Sequence, residues 1–399
     1  MSQPPADPES NTSQPPAAPN SPRSLRELVD MVSGRVDHAA AGEDSGLAES
    51  CPFPFLALVG QTEMKLALLL SVINPAIGGV LLIGPRGTGK TTAVRSLLHL
   101  LPQVMRSACF YGCLPEDIET GGMDAVCPDC ARKFAMGDPL TITTPVNLVE
   151  LPLNARLEDV VGGLDDRAAI HDRLRLKRGL LSQADKNLLY VDEVNLLADD
   201  IINAILDASA LGVYTVRRGP ISATFRSRLT LIGSMNPEEG NLRPQILDRF
   251  GLRILVRGLT EPAERLEAYQ RVRQFQANPP LFTASYADVT AQARTEIEQA
   301  RQLLPEVKIA AQVAQVGIQL IQKLEIDSLR AEITLFESAR ALAAADGRLE
   351  VDVADLVQLA PLALRLRRSE FMQGYFKSQL QDDQQIQAKI NELLPGEAG

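Results

Sequence analysis

Residues 84–91 read Gly-Pro-Arg-Gly-Thr-Gly-Lys-Thr and follow directly on the apolar run Val80-Leu81-Leu82-Ile83. The pattern G-x-x-x-x-G-K-[ST] carries meaning where a buried strand precedes it and a helix follows. Both are here, since residues 92–101 can continue as a helix until Pro102 stops it. Glycines let backbone N–H groups wrap a polyphosphate, and the helix turns its positive end toward the same anion. Gly84, Pro85, Arg86, Gly87, Thr88, Gly89, Lys90, Thr91 and Thr92 are then the cradle. Within it Lys90 reaches the terminal phosphates and the Thr91 hydroxyl ligates Mg²⁺. The competing reading is a merely tight strand-to-helix turn, and the flanking elements weigh against it.

A second element supports nucleotide chemistry. Leu188-Leu189-Tyr190-Val191 is a short apolar strand ending in Asp192-Glu193. A carboxylate at the end of a parallel strand sits beside the phosphate loop, where Asp192 can hold Mg²⁺ as a Walker-B acid does. Glu193 is placed to orient or deprotonate an attacking water. The alternative is that both acids cap the following helix, because Asp and Glu favour a first turn.

Composition narrows the class. A length of 399 residues suits two or three domains, and a 45% hydrophobic fraction suffices for a core. Aromatics at 4%, no Trp and a formal charge of −10 disfavour nucleic acid as a partner. No run approaches the eighteen or so apolar residues of a membrane span. His38, His99 and His171 are in no ligand spacing, which argues against histidine catalysis. Residues 1–50 read as a disordered tail with one short helix near 25–32; Ser-Gln-Pro-Pro occurs at 2–5 and again at 13–16. The tail has neither signal-peptide nor transit-peptide character, so a cytoplasmic location is expected.

From 51 to 258, short apolar runs alternate with helical stretches. Strands are expected at 80–83, 146–151, 188–191, 229–233 and 253–256. That alternation predicts an α/β domain: a parallel sheet with helices on both faces and a ligand at the carboxyl ends of the strands. A hairpin of 213–216 with 221–225 should project from it. After Gly258 helical spacing takes over, as in Ile333, Phe336, Ala339 and Leu342, which predicts a separate helical domain over 259–368. The polar tail 369–399 carries an apolar stripe, Ile386, Ile390 and Leu393, which reads equally as a docking face or a frayed amphipathic end.

Three further residues can serve the nucleotide. Asn236 ends a strand and can hold the attacking water or a phosphate oxygen, or it can make an Asx-Pro turn with Pro237. Arg249 closes a short helix stopped by Gly251 and can contact its own helix end or reach a nucleotide on an adjacent subunit. Arg330 stands in the first turn of a helix opened by Asp327 or Ser328. A cation is misplaced there by the helix dipole, which suggests an anion nearby.

In this order, and followed by a helical lid, these motifs resemble an AAA+ ATPase. Several stretches are similar to the ATPase subunit I of magnesium chelatase (the ChlI/BchI type). They are Phe53-Pro54-Phe55, Leu58-Val59-Gly60-Gln61, Val191-Asp192-Glu193-Val194-Asn195-Leu196-Leu197, Asn236-Pro237-Glu238-Glu239-Gly240 and Leu247-Asp248-Arg249-Phe250-Gly251. The resemblance spans roughly 52–368 and implies ATP with Mg²⁺ on Thr91 and Asp192. It implies Asn236 as sensor 1, Arg249 as a finger acting in trans, Arg330 as sensor 2 acting in cis, and Val59 and Gly60 near the adenine. It further implies a homo-oligomeric ring, typically a hexamer. The partners it implies are a D subunit and a porphyrin-binding H subunit, which together insert Mg²⁺ into protoporphyrin IX for (bacterio)chlorophyll synthesis. A cobalt-chelatase ATPase and a MoxR-like assembly chaperone share the motifs, and the 53–55 and 236–240 stretches favour chelatase over MoxR.

The chain departs from that pattern in two places. Ala331-Glu332-Ile333 follows Arg330 where Gly and an acid are more usual. Cys109, Cys113, Cys127 and Cys130 stand within one insertion after the phosphate-loop helix. Two close pairs at this separation fit a structural Zn²⁺ ion; redox-switchable thiols and unliganded cysteines are the other readings.

Overall fold

Five short apolar runs pair into one parallel sheet in the computed structural model, which describes residues 51–109, 112–164, 176–218, 221–368, 384–386 and 389. The strands are β1 (Val80–Ile83), β2 (Leu148–Leu151), β3 (Leu188–Val191), β4 (Thr230–Met235) and β5 (Leu252–Leu255), in spatial order β5-β1-β4-β3-β2. They lie within two residues of the expected bounds. The tail 1–50 with its expected helix, and Ile390 and Leu393, fall outside the described residues; Ile386 is exposed.

Period-two alternation divides the strand residues between two cores. Val80, Leu82, Leu188, Tyr190 and Ile232 face one side, where helices α1 (Thr62–Ile73) and α2 (Lys90–Leu97) supply Met64, Leu68, Val94 and Leu97. Leu81, Ile83, Leu189, Val191 and Leu231 face the other, against Ile201, Ile202, Ile205 and Leu206 of α3 (Asp199–Leu211). With both faces covered, β1 and β3 read as unbroken apolar runs, and all six residues of β4 are buried although Thr230 and Ser234 are polar.

After β5 the labelled elements of the described chain are helical, among them α4 (Pro262–Ala277), α5 (Ala287–Leu303), α6 (Ala311–Lys323), α7 (Arg330–Ala345) and α8 (Val353–Leu364). This part is distinct in sequence but continuous in packing. The core beneath α1 runs on through Ile297, Ala300, Leu335, Ala339 and Leu359.

Two antiparallel ribbons were not expected, Val104–Ser107 with Thr141–Thr144 and Gly162–Leu164 with Leu176–Arg178. The first closes the neck of the cysteine insertion. The expected hairpin forms as Val213–Arg218 with Ile221–Arg226. It does not simply project, because its alternating Val216 and Phe225 are buried in a small core with Val161.

Candidate active site

Parallel strands deliver their carboxyl ends to one edge of the sheet, and the phosphate loop, Asp192-Glu193 and Asn236 all stand on that edge. They line a cleft of about 260 Å³ whose walls run from Arg86 to Thr92, take in Asp192 and Glu193, and close with Ser234, Met235 and Asn236. Gly84 is required by proximity: a Cβ there would collide with the carbonyl oxygen of Val256, the residue just after β5. Gly87 and Gly89 instead supply positive φ angles of 77° and 84°, which turn the loop so that α2 begins at Lys90.

Lys90 is buried, and its Nζ donates to the Gly84 and Pro85 carbonyls at 2.7 Å each. Burial holds its ammonium below the usual lysine range, against the opposing pull of Asp192, Glu193 and Glu239. A bound polyphosphate would offer the same ammonium charged acceptors in place of its own loop carbonyls.

Thr91 and Asp192 are brought together by a residue that sequence reasoning passed over. The Tyr190 hydroxyl lies 3.1 Å from Thr91 Oγ1 and donates to Asp192 Oδ1 at 3.0 Å. Burial pushes this phenol up to about 12, so it stays a donor at neutral pH. Ser234 Oγ also donates to Asp192 Oδ1 and accepts the Glu193 N–H at 3.2 Å. Two hard oxygens held by a common partner suit Mg²⁺. The signal was legible: Tyr190 precedes Asp192 by two residues and Ser234 precedes Asn236 by two, so each pair shares a face.

Glu193 sits in the left-handed region (φ 49°, ψ 51°), a conformation that costs a non-glycine residue about 1 kcal/mol or more. Its carboxylate accepts from Arg86 Nη2 at 3.0 Å, and the same nitrogen pairs with Glu239 at 2.5 Å. Asn236 combines both of its expected readings. It is 4% exposed and lines the cleft, while its Oδ1 accepts the Glu238 N–H at 3.3 Å in an Asx turn.

Val59 and Gly60 do not line this cleft. They lie beside it, since Gln61 Nε2 donates to the Arg257 carbonyl at 2.6 Å, one residue beyond the Val256 that abuts Gly84.

Arg249 and Arg330 stand elsewhere. Both line a larger cavity, about 780 Å³, with Gly78, Leu188, Thr230 and Gly251. Those residues precede or open β1, β3, β4 and β5, so this is the amino edge of the sheet. It is separated from the phosphate loop by a strand's length, about 13 Å for four residues. Arg249 Nη1 donates to Asp207 at 2.7 Å. The expected cis role of Arg330 does not fit this geometry, because α7 begins at the edge opposite the cradle. The anion that its helix position called for is Asp248, whose Oδ2 accepts from Arg330 at 3.3 Å and from Ser328 Oγ at 2.9 Å. Asp248 also takes Arg367 at 2.9 Å and Arg253 at 3.3 Å.

Residues 78–233 match the family model described as an AAA domain, and residues 317–390 the one described as an AAA lid domain. Fold and cleft therefore define an ATPase of the AAA class. The chain is 41% identical over 323 residues to the magnesium-chelatase subunit ChlI homolog of Methanocaldococcus jannaschii, covering 80% of this chain and 87% of that one. It is 40% identical over 317 residues to ChlI of Nostoc sp., covering 79% and 84%. A solved chain in the complex between subunits BchI and BchD of magnesium chelatase is 38% identical, covering 80% of this chain and 97% of that one, with a TM-score of 0.45. The chain belongs to the ChlI family of magnesium-chelatase subunits.

Proposed function

We propose that this chain is the ATP-hydrolysing motor of a magnesium chelatase, driving Mg²⁺ insertion into protoporphyrin IX that partner subunits carry out. One observation carries the mechanism: cradle and arginines occupy opposite edges of the same sheet. A copy that binds ATP at its carboxyl edge therefore takes its arginine from the amino edge of the next copy. Repeated head to tail, that contact closes into a ring, which we take to be a hexamer.

Within one site, Lys90 and the loop N–H groups bind the phosphates. Thr91 and Asp192 would hold Mg²⁺, with Tyr190 and Ser234 fixing the Asp192 carboxylate; a bound ion would supply charge stabilisation to the phosphates. Glu193 orients and deprotonates the attacking water. The Asn236 amide nitrogen, its oxygen committed to the turn, donates to the phosphate side. Arg249 of the neighbouring copy stabilises transition-state charge, worth on the order of 10³–10⁵ in rate. Arg330 acts beside it rather than in its own subunit's cleft. Asp248, joined to β5, α7 and Arg367, transmits the change at that edge to the helical part. Val59 and Gly60 border the base.

The partners of this reading are a D subunit and a porphyrin-binding H subunit. Reconstitution tests it. Mg-protoporphyrin should form only with all three components and ATP, and Lys90→Ala should abolish it; cobalt insertion instead, or insertion without this chain, would contradict the proposal.

A further inference from the structure

Between Ser107 and Thr141 the chain leaves the α/β domain in an insertion that has almost no core. Its buried cluster consists of Cys113, Val126, Cys130 and Leu140, while Met123, Phe134 and Met136 are exposed. Two helices of eight residues or fewer, Pro115–Gly121 and Pro128–Ala135, cannot hold themselves. A segment this small needs a staple.

The staple is present in the side chains. The sulfurs of Cys109, Cys113, Cys127 and Cys130 all lie within 4.8 Å of one another. Cys109 Sγ is 3.7 Å from that of Cys113 and 3.5 Å from that of Cys127. Four sulfurs at about 2.3 Å from one centre stand about 3.8 Å apart at the corners of a tetrahedron, the arrangement zinc prefers. A second layer orients the ligands. The Cys127 N–H donates to Cys113 Sγ at 3.4 Å, and Ser107 Oγ accepts the Cys109 N–H at 3.1 Å while donating to the Cys113 carbonyl at 2.6 Å. The module is also tied to the hairpin, because Arg226 Nη1 donates to Asp117 Oδ2 and to the Gly112 carbonyl, each at 2.9 Å.

From this geometry we infer that Cys109, Cys113, Cys127 and Cys130 bind one zinc ion, which folds the insertion and fixes the Val213–Arg226 hairpin against it. The site has no part in phosphate chemistry, so its loss leaves MgATP hydrolysis standing.

The full-length chain, purified without chelator, is assayed for metals. The inference expects about one zinc per chain, falling at least about tenfold in Cys127→Ser and in Cys130→Ser but not in Cys51→Ser. Hydrogen exchange over residues 221–226 should speed up in the two depleted variants, with their ATPase rate within about twofold of wild type. Should those variants fail to fold, thiol titration of the wild type decides: blocking four thiols should release one equivalent of zinc. Less than about a tenth of an equivalent in the wild type, stoichiometric iron instead, or disulfides in the freshly isolated chain would overturn the site. Unchanged exchange in the hairpin would overturn its clamping role.

Discussion

The Glu193 carboxylate is paired to Arg86, a residue of the phosphate loop itself, at 3.0 Å. The carboxylate proposed to activate water is thus paired with the element proposed to receive the phosphates. Glu193→Gln keeps the side-chain shape and removes the base, so turnover should fall by about 10²–10⁴ while nucleotide binding survives. Arg86 is 71% exposed, and an exposed pair is worth about 1 kcal/mol or less. Arg86→Ala should therefore move KM for MgATP by about fivefold at most. Steady-state ATPase kinetics with a parallel nucleotide-binding titration separate the two; equal losses in both variants would contradict these roles.

Asp192 is oriented by two neutral hydroxyls. Removing one leaves the carboxylate in place but free to turn. Ser234→Ala should raise the Mg²⁺ concentration for half-maximal hydrolysis by about 10–100-fold, with a smaller change in the rate at saturating Mg²⁺. Tyr190→Phe should act in the same direction. A Mg²⁺ titration of ATPase activity at fixed ATP checks both.

Asp248 balances two guanidiniums that lie inside the protein, Arg253 and Arg367, with side-chain exposures of 1% and 0%. Burial pulls both below the usual arginine range, so neither tolerates losing its counter-ion. Asp248→Ala should destabilise the fold by about 3–5 kcal/mol, read by chemical denaturation. Arg330→Ala removes only the 54%-exposed member of the group and should cost about 1 kcal/mol or less.

Much of this was legible in the residues. β1 and β3 were legible because a parallel strand covered on both faces is apolar throughout, and the phosphate loop because its strand and helix flank it. Four cysteines in one insertion announced their own meeting. The position of Arg330 was not legible, since its helix is placed by packing against α1 and the core shared with Leu335 and Ala339, which no local pattern encodes. Asp248 was hidden for the same reason: its side-chain partners are 5, 80, 82 and 119 residues away. The Thr141–Thr144 strand is polar and half-exposed, so it offered no hydrophobic period to read.

The central claim is that each triphosphate is completed by the next copy. It is tested by mixing Lys90→Ala chains, which lack the cradle lysine, with Arg249→Ala chains, which lack the finger, under assembling conditions. Each is expected to be inactive alone. In random one-to-one assemblies, about a quarter of the head-to-tail contacts would pair an intact cradle with an intact finger, so hydrolysis should return to about that fraction of wild type. A mixture that assembles yet stays as inactive as its components would contradict the account.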